Sequence, residues 1–223
     1  MSEHAYGVVI PAWNAAATIG ECIASIAGQS VPPREIIVVD DGSTDDTAAV
    51  AAAAHPLVRV IAQENRGCGA ATSAGFAACG FPWLASLDAD DVWLPEKIER
   101  QFAHLDANPR YAGVCCNMEL FRPDGEVLGT REAWSRSTML LRREVFDTVG
   151  EIIDPPGMRG DIVDWLARVR EAGFVIAMMP QVLACRRVHP GSLSFGRDEE
   201  RDRGYLHVAR QAILRRRAAA RET

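Results

Sequence analysis

The sequence has no CxxC pair, no apolar run near the length of a membrane span and no excess of basic residues, and each gap removes a class of protein. Its six cysteines, Cys22, Cys68, Cys79, Cys115, Cys116 and Cys185, are scattered. That scatter indicates neither a zinc site nor a disulfide framework, and reduced, mostly buried thiols are the expectation. No stretch approaches the roughly 18 uninterrupted apolar residues of a membrane span, and the start, Met1-Ser2-Glu3-His4, lacks the basic and apolar pattern of a signal peptide. A cytoplasmic chain without a transmembrane segment is therefore expected. With 24 basic against 30 acidic residues the net charge is -6, so no nucleic-acid partner is expected, because phosphate-backbone binding wants a basic face. An acidic chain can still hold an anionic ligand through a bound cation. What is present, 223 residues of which 48% are hydrophobic, suffices to bury the core of one domain.

Within that composition one stretch stands apart. Trp83-Leu84-Ala85-Ser86-Leu87 is a buried-strand pattern that ends in Asp88-Ala89-Asp90-Asp91. Packing explains the first five residues and nothing about the acids, which repel one another unless a cation or a hydrogen-bond network offsets the repulsion. Carboxylates gathered at a strand end suggest a Mg²⁺ or Mn²⁺ site, and such ions commonly share one or two carboxylates with substrate phosphates. The bland alternative is a solvated loop whose acids cap a following helix, with Asp91 ahead of Trp93-Leu94-Pro95-Glu96.

Upstream, Tyr6-Gly7-Val8-Val9-Ile10-Pro11 reads as a first strand stopped by its proline. Asn14 is placed as the cap of a helix that Thr18, Ile19, Cys22, Ile23 and Ile26 make amphipathic. Glu35-Ile36-Ile37-Val38-Val39 is a continuous apolar run, as a parallel strand covered on both faces requires, and completes a βαβ unit. It runs into Asp40-Asp41-Gly42-Ser43-Thr44-Asp45-Asp46-Thr47. A carboxylate there can accept from a base N–H or from ribose hydroxyls while Gly42 lets the backbone approach. Ser43 or Thr44, with Asp45 and Asp46, reads as the N-cap of a helix over residues 48 to 55; capping accounts for Asp45 and Asp46 but not for Asp40 and Asp41. Val58-Arg59-Val60-Ile61 is a third strand, leading to Asn65-Arg66-Gly67-Cys68-Gly69. These glycines either admit a phosphate at a helix N-terminus or serve close helix packing.

Taken together, Ile10-Pro11-Ala12-Trp13-Asn14, the run from Val38 through Asp45, Asn65-Arg66-Gly67 and Leu87-Asp88-Ala89-Asp90-Asp91 resemble the family 2 glycosyltransferases of the GT-A fold. The likeness covers about residues 6 to 194. It implies an α/β class chain: a single GT-A, Rossmann-like nucleotide-binding domain over residues 1–195, with a central, mostly parallel mixed sheet flanked by helices. The donor half lies at about 6–95, the acceptor half at about 96–195 and a charged helical tail at 196–223. The implied activity is metal-dependent, inverting transfer of a sugar from a nucleotide diphosphate-sugar, UDP being the commonest donor nucleotide, to an acceptor hydroxyl. The acceptor, whether saccharide, lipid-linked, peptide or small molecule, stays open, as does homodimerisation. By the same likeness Asp41 would contact the nucleobase, Asp88 would lie near the ribose and the Mn²⁺ or Mg²⁺, and Asp90 would be the principal ligand. Pro11, Asn14, Asn65, Gly67 and Ala89 would line the donor site. Where the family often has Ala-Arg-Asn, this chain has Ala71-Thr72-Ser73, a departure at a usual donor contact.

In the second half a helix is expected over residues 95 to 108. Strands at 112–118 and 127–128 are expected to join across the turn signal Arg122-Pro123-Asp124-Gly125, followed by a strand at Ser137-Thr138-Met139-Leu140-Leu141 and a helix ended by Gly150. Gly160-Asp161-Ile162-Val163-Asp164-Trp165-Leu166 opens another helix. Relatives resembling this segment carry two adjacent acids, one acting as general base; here Asp161 is the base or merely an N-cap, Ile162 replaces the second acid, and Asp164, one turn on, is the reserve. Residues 175–180 and 182–189 read as two late strands. The ending from Arg186 to Ser194 resembles a family feature in which a histidine, here His189, approaches the metal and a basic residue, Arg187, approaches the diphosphate. The tail is expected to be a solvated helix with Leu206, Ala209, Ile213 and Leu214 on one side, membrane or partner docking being the alternative. Two rival functions remain. A nucleotidyltransferase would need a glycine-rich basic loop where Pro11-Ala12-Trp13-Asn14 stands, and a catalytically weak donor-binding protein is suggested by Ile162, Thr72 and Ser73.

Overall fold

The structure, a computed structural model, describes residues 4–192, 195–196 and 199–222. Leu193 and Ser194, the last residues of the expected C-terminal feature, lie outside the described residues, as do Arg197 and Asp198 of the charged run. The chain opens with β1 (Tyr6–Ala12), α1 (Ile19–Ala27), β2 (Glu35–Asp40), α2 (Thr47–Ala54), β3 (Val58–Ala62), α3 (Cys68–Ala78) and β4 (Trp83–Ser86). It continues through β5 (Val92–Trp93), α4 (Lys97–Asp106), β6 (Gly113–Phe121), β7 (Val127–Glu132), a 3₁₀ turn (Arg136–Thr138), β8 (Leu140–Arg142), α5 (Arg143–Val149), α6 (Asp161–Glu171), β9 (Ile176–Arg187) and α7 (Glu199–Glu222). Among the described residues these strands form one sheet of order β3-β2-β1-β4-β8-β6-β9-β5, with β7 paired outside the path to β6. β3, β2, β1 and β4 run parallel, β8 is antiparallel to both β4 and β6, and β9 returns parallel to β6.

Periodicity of two decides which side chain meets which helix layer. Tyr6, Val8, Ile10 and Ala12 of β1 join Ile19, Ile23, Ala51, Ile98 and Phe102 on one face, whereas Val9 joins Ala71, Phe76, Val145, Phe146 and Trp165 on the other. Helices α1, α2 and α4 thus cover one face and α3, α5 and α6 the other, which is why β1 and β2 are apolar throughout. On α6, Ile162, Trp165, Leu166 and Val169 are buried; at the spacing of one helix face, each contributes about 1.5–3 kcal/mol of transfer energy. Four of the six cysteines, Cys22, Cys79, Cys115 and Cys116, are core residues.

Several local expectations are corrected. Pro11 does not stop β1, which continues to Ala12 paired with β2. Val9 accepts the Leu87 amide through its carbonyl, and β4 ends there. Two residues on, Pro11 faces the same side beyond the end of β4, so its missing N–H removes no ladder bond. Asn14 is not a helix cap: it takes a left-handed φ of 49°, and α1 begins only at Ile19. Neither Ser43 nor Thr44 caps α2, because Asp45 holds the Thr47 amide at 3.0 Å. The expected strand at 137–141 is split into the 3₁₀ turn and β8. The two late strands are one, β9, whose register against β6 shifts around Asn117; the Asn117 side chain donates to the Pro180 carbonyl at 3.0 Å and so closes the bulge. The tail helix is not simply solvated, since Val208 is buried and Arg215 pairs with Asp164 and Glu171.

Candidate active site

Strand order places β1 between β2 and β4, so the chain reverses its direction of winding there. The crevice beyond the carboxyl ends of strands flanking such a reversal is where open α/β sheets bind ligands. The loops after β1, β2, β3 and β4 all open at that edge, and so does the end of β9.

The first two loops are stitched together. Asn14 Oδ1 accepts the Thr44 amide at 2.8 Å, the Asn14 amide donates to Ser43 Oγ at 2.9 Å, and the Ala16 amide donates to Asp45 Oδ2 at 3.1 Å. Trp13, next to these contacts in the chain, is 58% exposed, a large aromatic plane left in solvent. Asp40 accepts the Ser43 amide at 3.1 Å, a local turn bond. Asp41 is buried and reaches the next loop: Oδ1 accepts from Gln63 Nε2 at 2.7 Å and the Arg66 amide at 2.9 Å, and Oδ2 accepts the Gly67 amide at 2.9 Å. A carboxylate offers about four acceptor directions, so Oδ2 keeps one free. Asn65 is exposed on the same loop, Pro11 is buried in β1, and Ala89 packs into the core.

Gly67 takes φ 100° and starts α3. The N-terminus of that helix does not stand open for a phosphate: Asp154, from the coil before α6, accepts the Gly69 and Ala70 amides at 2.9 Å each. A Cβ on Gly67 would sit 2.7 Å from Asp154 Cγ, which is why the loop is glycine. Ser73 continues the tie, accepting the Ile152 amide at 2.8 Å.

The acidic loop after β4 divides its carboxylates between two tasks. Asp91 is buried and structural: Oδ2 accepts from Ser137 Oγ at 2.8 Å and Oδ1 accepts the Arg187 amide at 3.1 Å. It caps no helix, because β5 follows. Ser137 also accepts the Asp88 amide at 3.2 Å, and its carbonyl accepts Trp93 Nε1 at 2.7 Å, so one buried serine holds the whole loop. Asp90 Oδ2 and His189 Nε2 are 3.0 Å apart. Burial, reinforced by the neighbouring charge of Asp88, pushes the Asp90 carboxyl above the usual carboxylate range, and Asp91 is raised for the same reasons. Asp88 Oδ1 is buried without a hydrogen-bond partner, and Arg136 Nη1 stands 3.5 Å away.

Arg136, a lone arginine outside every motif of the sequence, is the hub of the groups that reach the crevice from the second half of the chain. It is 7% exposed, and its guanidinium pairs with Asp161 Oδ2 and Cys68 Sγ as well as facing Asp88. Burial opposes its charge; Asp161, Cys68 and Asp88 more than offset this and hold the guanidinium protonated. Asp161 is thereby brought to the acidic loop, and it makes no capping bond to α6. Ile162 beside it is buried in the α6 core face, a place that would reject a second acid. Asp164 faces elsewhere, pairing with Arg168 Nε at 3.0 Å and Arg215 Nη1 at 2.9 Å. Arg187 is engaged through Nη2 with Glu21 at 2.5 Å and through Nε with the Asp90 carbonyl at 3.1 Å.

Among the described residues no three His, Cys, Asp or Glu side chains converge as a complete metal cage. The donor chemistry nevertheless fits a hard divalent ion. Asp90, whose charge burial and Asp88 disfavour, and Asp88, one of whose oxygens is buried without a hydrogen bond, match a site in which protein supplies one or two ligands and substrate phosphates the rest.

Known proteins resemble this chain in sequence and in fold. Succinoglycan biosynthesis protein ExoO of Rhizobium meliloti is 40% identical over 122 residues, which are 54% of this chain and 35% of that protein. The chain spans about a third of the length of such curated relatives. In fold it is similar to S. aureus TarS in complex with UDP-GlcNAc, with TM-score 0.75 and 18% identity, covering 94% of this chain and 66% of that one. It is similar too to the mannosyltransferase PcManGT from Pyrobaculum calidifontis in complex with GDP-Man and Mn²⁺, with TM-score 0.69, 20% identity and 84% and 58% of the two chains covered. The model of Glycosyl transferase family 2 matches residues 7–161, from β1 through the loops after β1, β2, β3 and β4 to Asp161. The chain therefore belongs to glycosyltransferase family 2.

Proposed function

We propose that this enzyme transfers a sugar from a UDP-sugar to an acceptor hydroxyl with inversion at the anomeric carbon, using a divalent cation. The observation that carries the reading is the meeting of Asp88 and Asp161 on Arg136, with Asp90 and His189 at the end of the same acidic loop. The free acceptor direction on Asp41 takes a base N–H, and Trp13 offers its plane to the base. Asp88, Asp90 and His189 would hold Mn²⁺ or Mg²⁺, which when bound neutralises charge on the diphosphate. Asp161 accepts the proton of the acceptor hydroxyl as that oxygen bonds to the anomeric carbon. The bond from this carbon to the diphosphate oxygen breaks on the opposite face, and the nucleoside diphosphate leaves. Asp164 is the reserve base in this reading, and its two arginine partners weigh against it. Arg187 approaches the diphosphate only by exchanging Glu21 for it.

A thermal-shift screen of nucleotide diphosphates and their sugars, with and without Mn²⁺, identifies the donor; no shift with any of them would sink the reading. Asp161→Asn is expected to leave donor affinity within about threefold while turnover falls about 10² to 10⁴-fold. Full turnover in that variant removes Asp161 from the role. The weak donor-binding alternative is favoured by the pairing of Asp161 with a buried arginine, and it predicts binding without release of nucleoside diphosphate across a broad acceptor panel.

A further inference from the structure

The family match ends at Asp161, and the C-terminal part of the chain folds back onto the segment just before that residue. Coil residues 154–160 join two anchored ends. At one end Asp154 caps α3, and at the other Asp161 meets Arg136. Between them the coil has little regular structure, with left-handed φ at Gly157, Met158 and Gly160. Such a stretch does not hold a side chain in place unaided.

The C-terminal segment holds it at three levels. Arg159 is 5% exposed; Nη1 pairs with Asp202 Oδ1 at 2.7 Å, and Nη2 donates to the Phe195 carbonyl at 3.1 Å. A Cβ added to Gly204 would land on the Arg159 carbonyl oxygen and 3.1 Å from the Pro156 carbonyl oxygen, so α7 lies directly on this backbone. A Cβ on Gly160 would stand 3.2 Å from the Tyr205 ring. Further along, Arg215 clamps α7 to α6 through Asp164 and Glu171. A glycine inside a helix costs about 1 kcal/mol relative to alanine; at Gly204 that cost is offset by an approach no other residue permits.

We infer that α7 is a strap for the active site, with Arg159, Asp202 and Gly204 as positioning residues that fix the coil 154–160 and hence the place of Asp161 against the acidic loop. The link from coil to turnover rests on the reading of Asp161 as the base; the strap itself does not.

The test uses the full chain carrying Gly204→Ala. Hydrogen exchange of the amides at 154–161 is expected to rise about tenfold, with exchange in β1 and β2 unchanged. Turnover is expected to fall about tenfold while donor affinity stays within about twofold. Unchanged exchange at 154–161 overturns the strap. Faster exchange with unchanged turnover overturns the positioning role and keeps the strap, and Asp161→Asn measured alongside shows whether the base assignment failed instead. Should Gly204→Ala not fold, Asp202→Ala removes the ion-pair part of the Arg159 clamp and leaves its bond to the Phe195 carbonyl, without crowding the helix; it is expected to move both readouts the same way by about half as much on a logarithmic scale, and no change in exchange overturns the strap equally.

Discussion

In residues 6–95 the carboxylates of the site stand at carboxyl ends of parallel strands and are held largely by backbone amides and hydroxyls of neighbouring loops, as Asp41 is by Arg66 and Gly67. Beyond residue 96 the groups that reach the site come from a 3₁₀ turn, a coil and a helix start, and Arg136 and Asp161 are held by each other's charge. One half is built by strand topology, which sets position before any side chain is chosen. The other is built by compensation between buried charges, so its members act on stability as well as on chemistry. The two halves are therefore expected to fail differently.

Asp90→Ala carries the largest expected effect and falls on chemistry alone. Metal-dependent binding of UDP, followed by titration calorimetry with and without Mn²⁺, is expected to weaken at least about 100-fold. Folding stability is not expected to fall, since burial and Asp88 already disfavour this carboxylate's charge. Retained Mn²⁺-dependent binding would break the first half's side of the comparison.

Arg136→Met probes the other half. It leaves the buried Asp161 and the half-buried Asp88 without their cation, and breaking a buried pair such as that with Asp161 from one side costs about 3 kcal/mol or more. Urea unfolding reads this directly, and a loss under about 1 kcal/mol would show that compensation is not what holds this half together.

The smallest effect concerns Lys97, fully buried at the start of α4, with Nζ 2.8 Å from Gln101 Oε1 and 4.0 Å from the centre of the Trp93 ring. Burial pulls its pKa from 10.5 to about 8. Between those values the unfolded chain holds more protons on this lysine than the folded one, so its contribution makes stability rise with pH. Relative to Lys97→Met, the wild type is expected to gain at most about 3 kcal/mol from pH 8 to 10.5. A flat difference would mean that the ammonium finds compensation inside the core.

Legibility in the sequence divides along the same line. The first half is readable because continuous apolar runs and acid-rich strand ends are local in sequence, and the sheet edge then collects them. His189 is legible from its place after the last strand and does meet Asp90. Asp91 reads as a helix cap and is a brace instead, because its partners, Ser137 and the Arg187 amide, lie 46 and 96 residues away. Arg136, Asp154 and Arg159 carry no local signal, being single charged residues in irregular segments. The bent β9 reads as two strands because Pro180 interrupts the pattern and only pairing to β6 carries the chain past it.

By itself the sequence determined the βαβ order, the two-sided burial of β1 and β2 and the identity of the acids at the ends of β2 and β4, since these depend on residue spacing alone. Tertiary structure decided which acids stay available and which become braces, because a carboxylate's role is set by the donors and charges around it. Asp88 keeps a buried oxygen without a hydrogen bond, Asp91 is tied by Ser137 and the Arg187 amide, Asp161 is drawn to Arg136 and Asp164 is drawn away to Arg215.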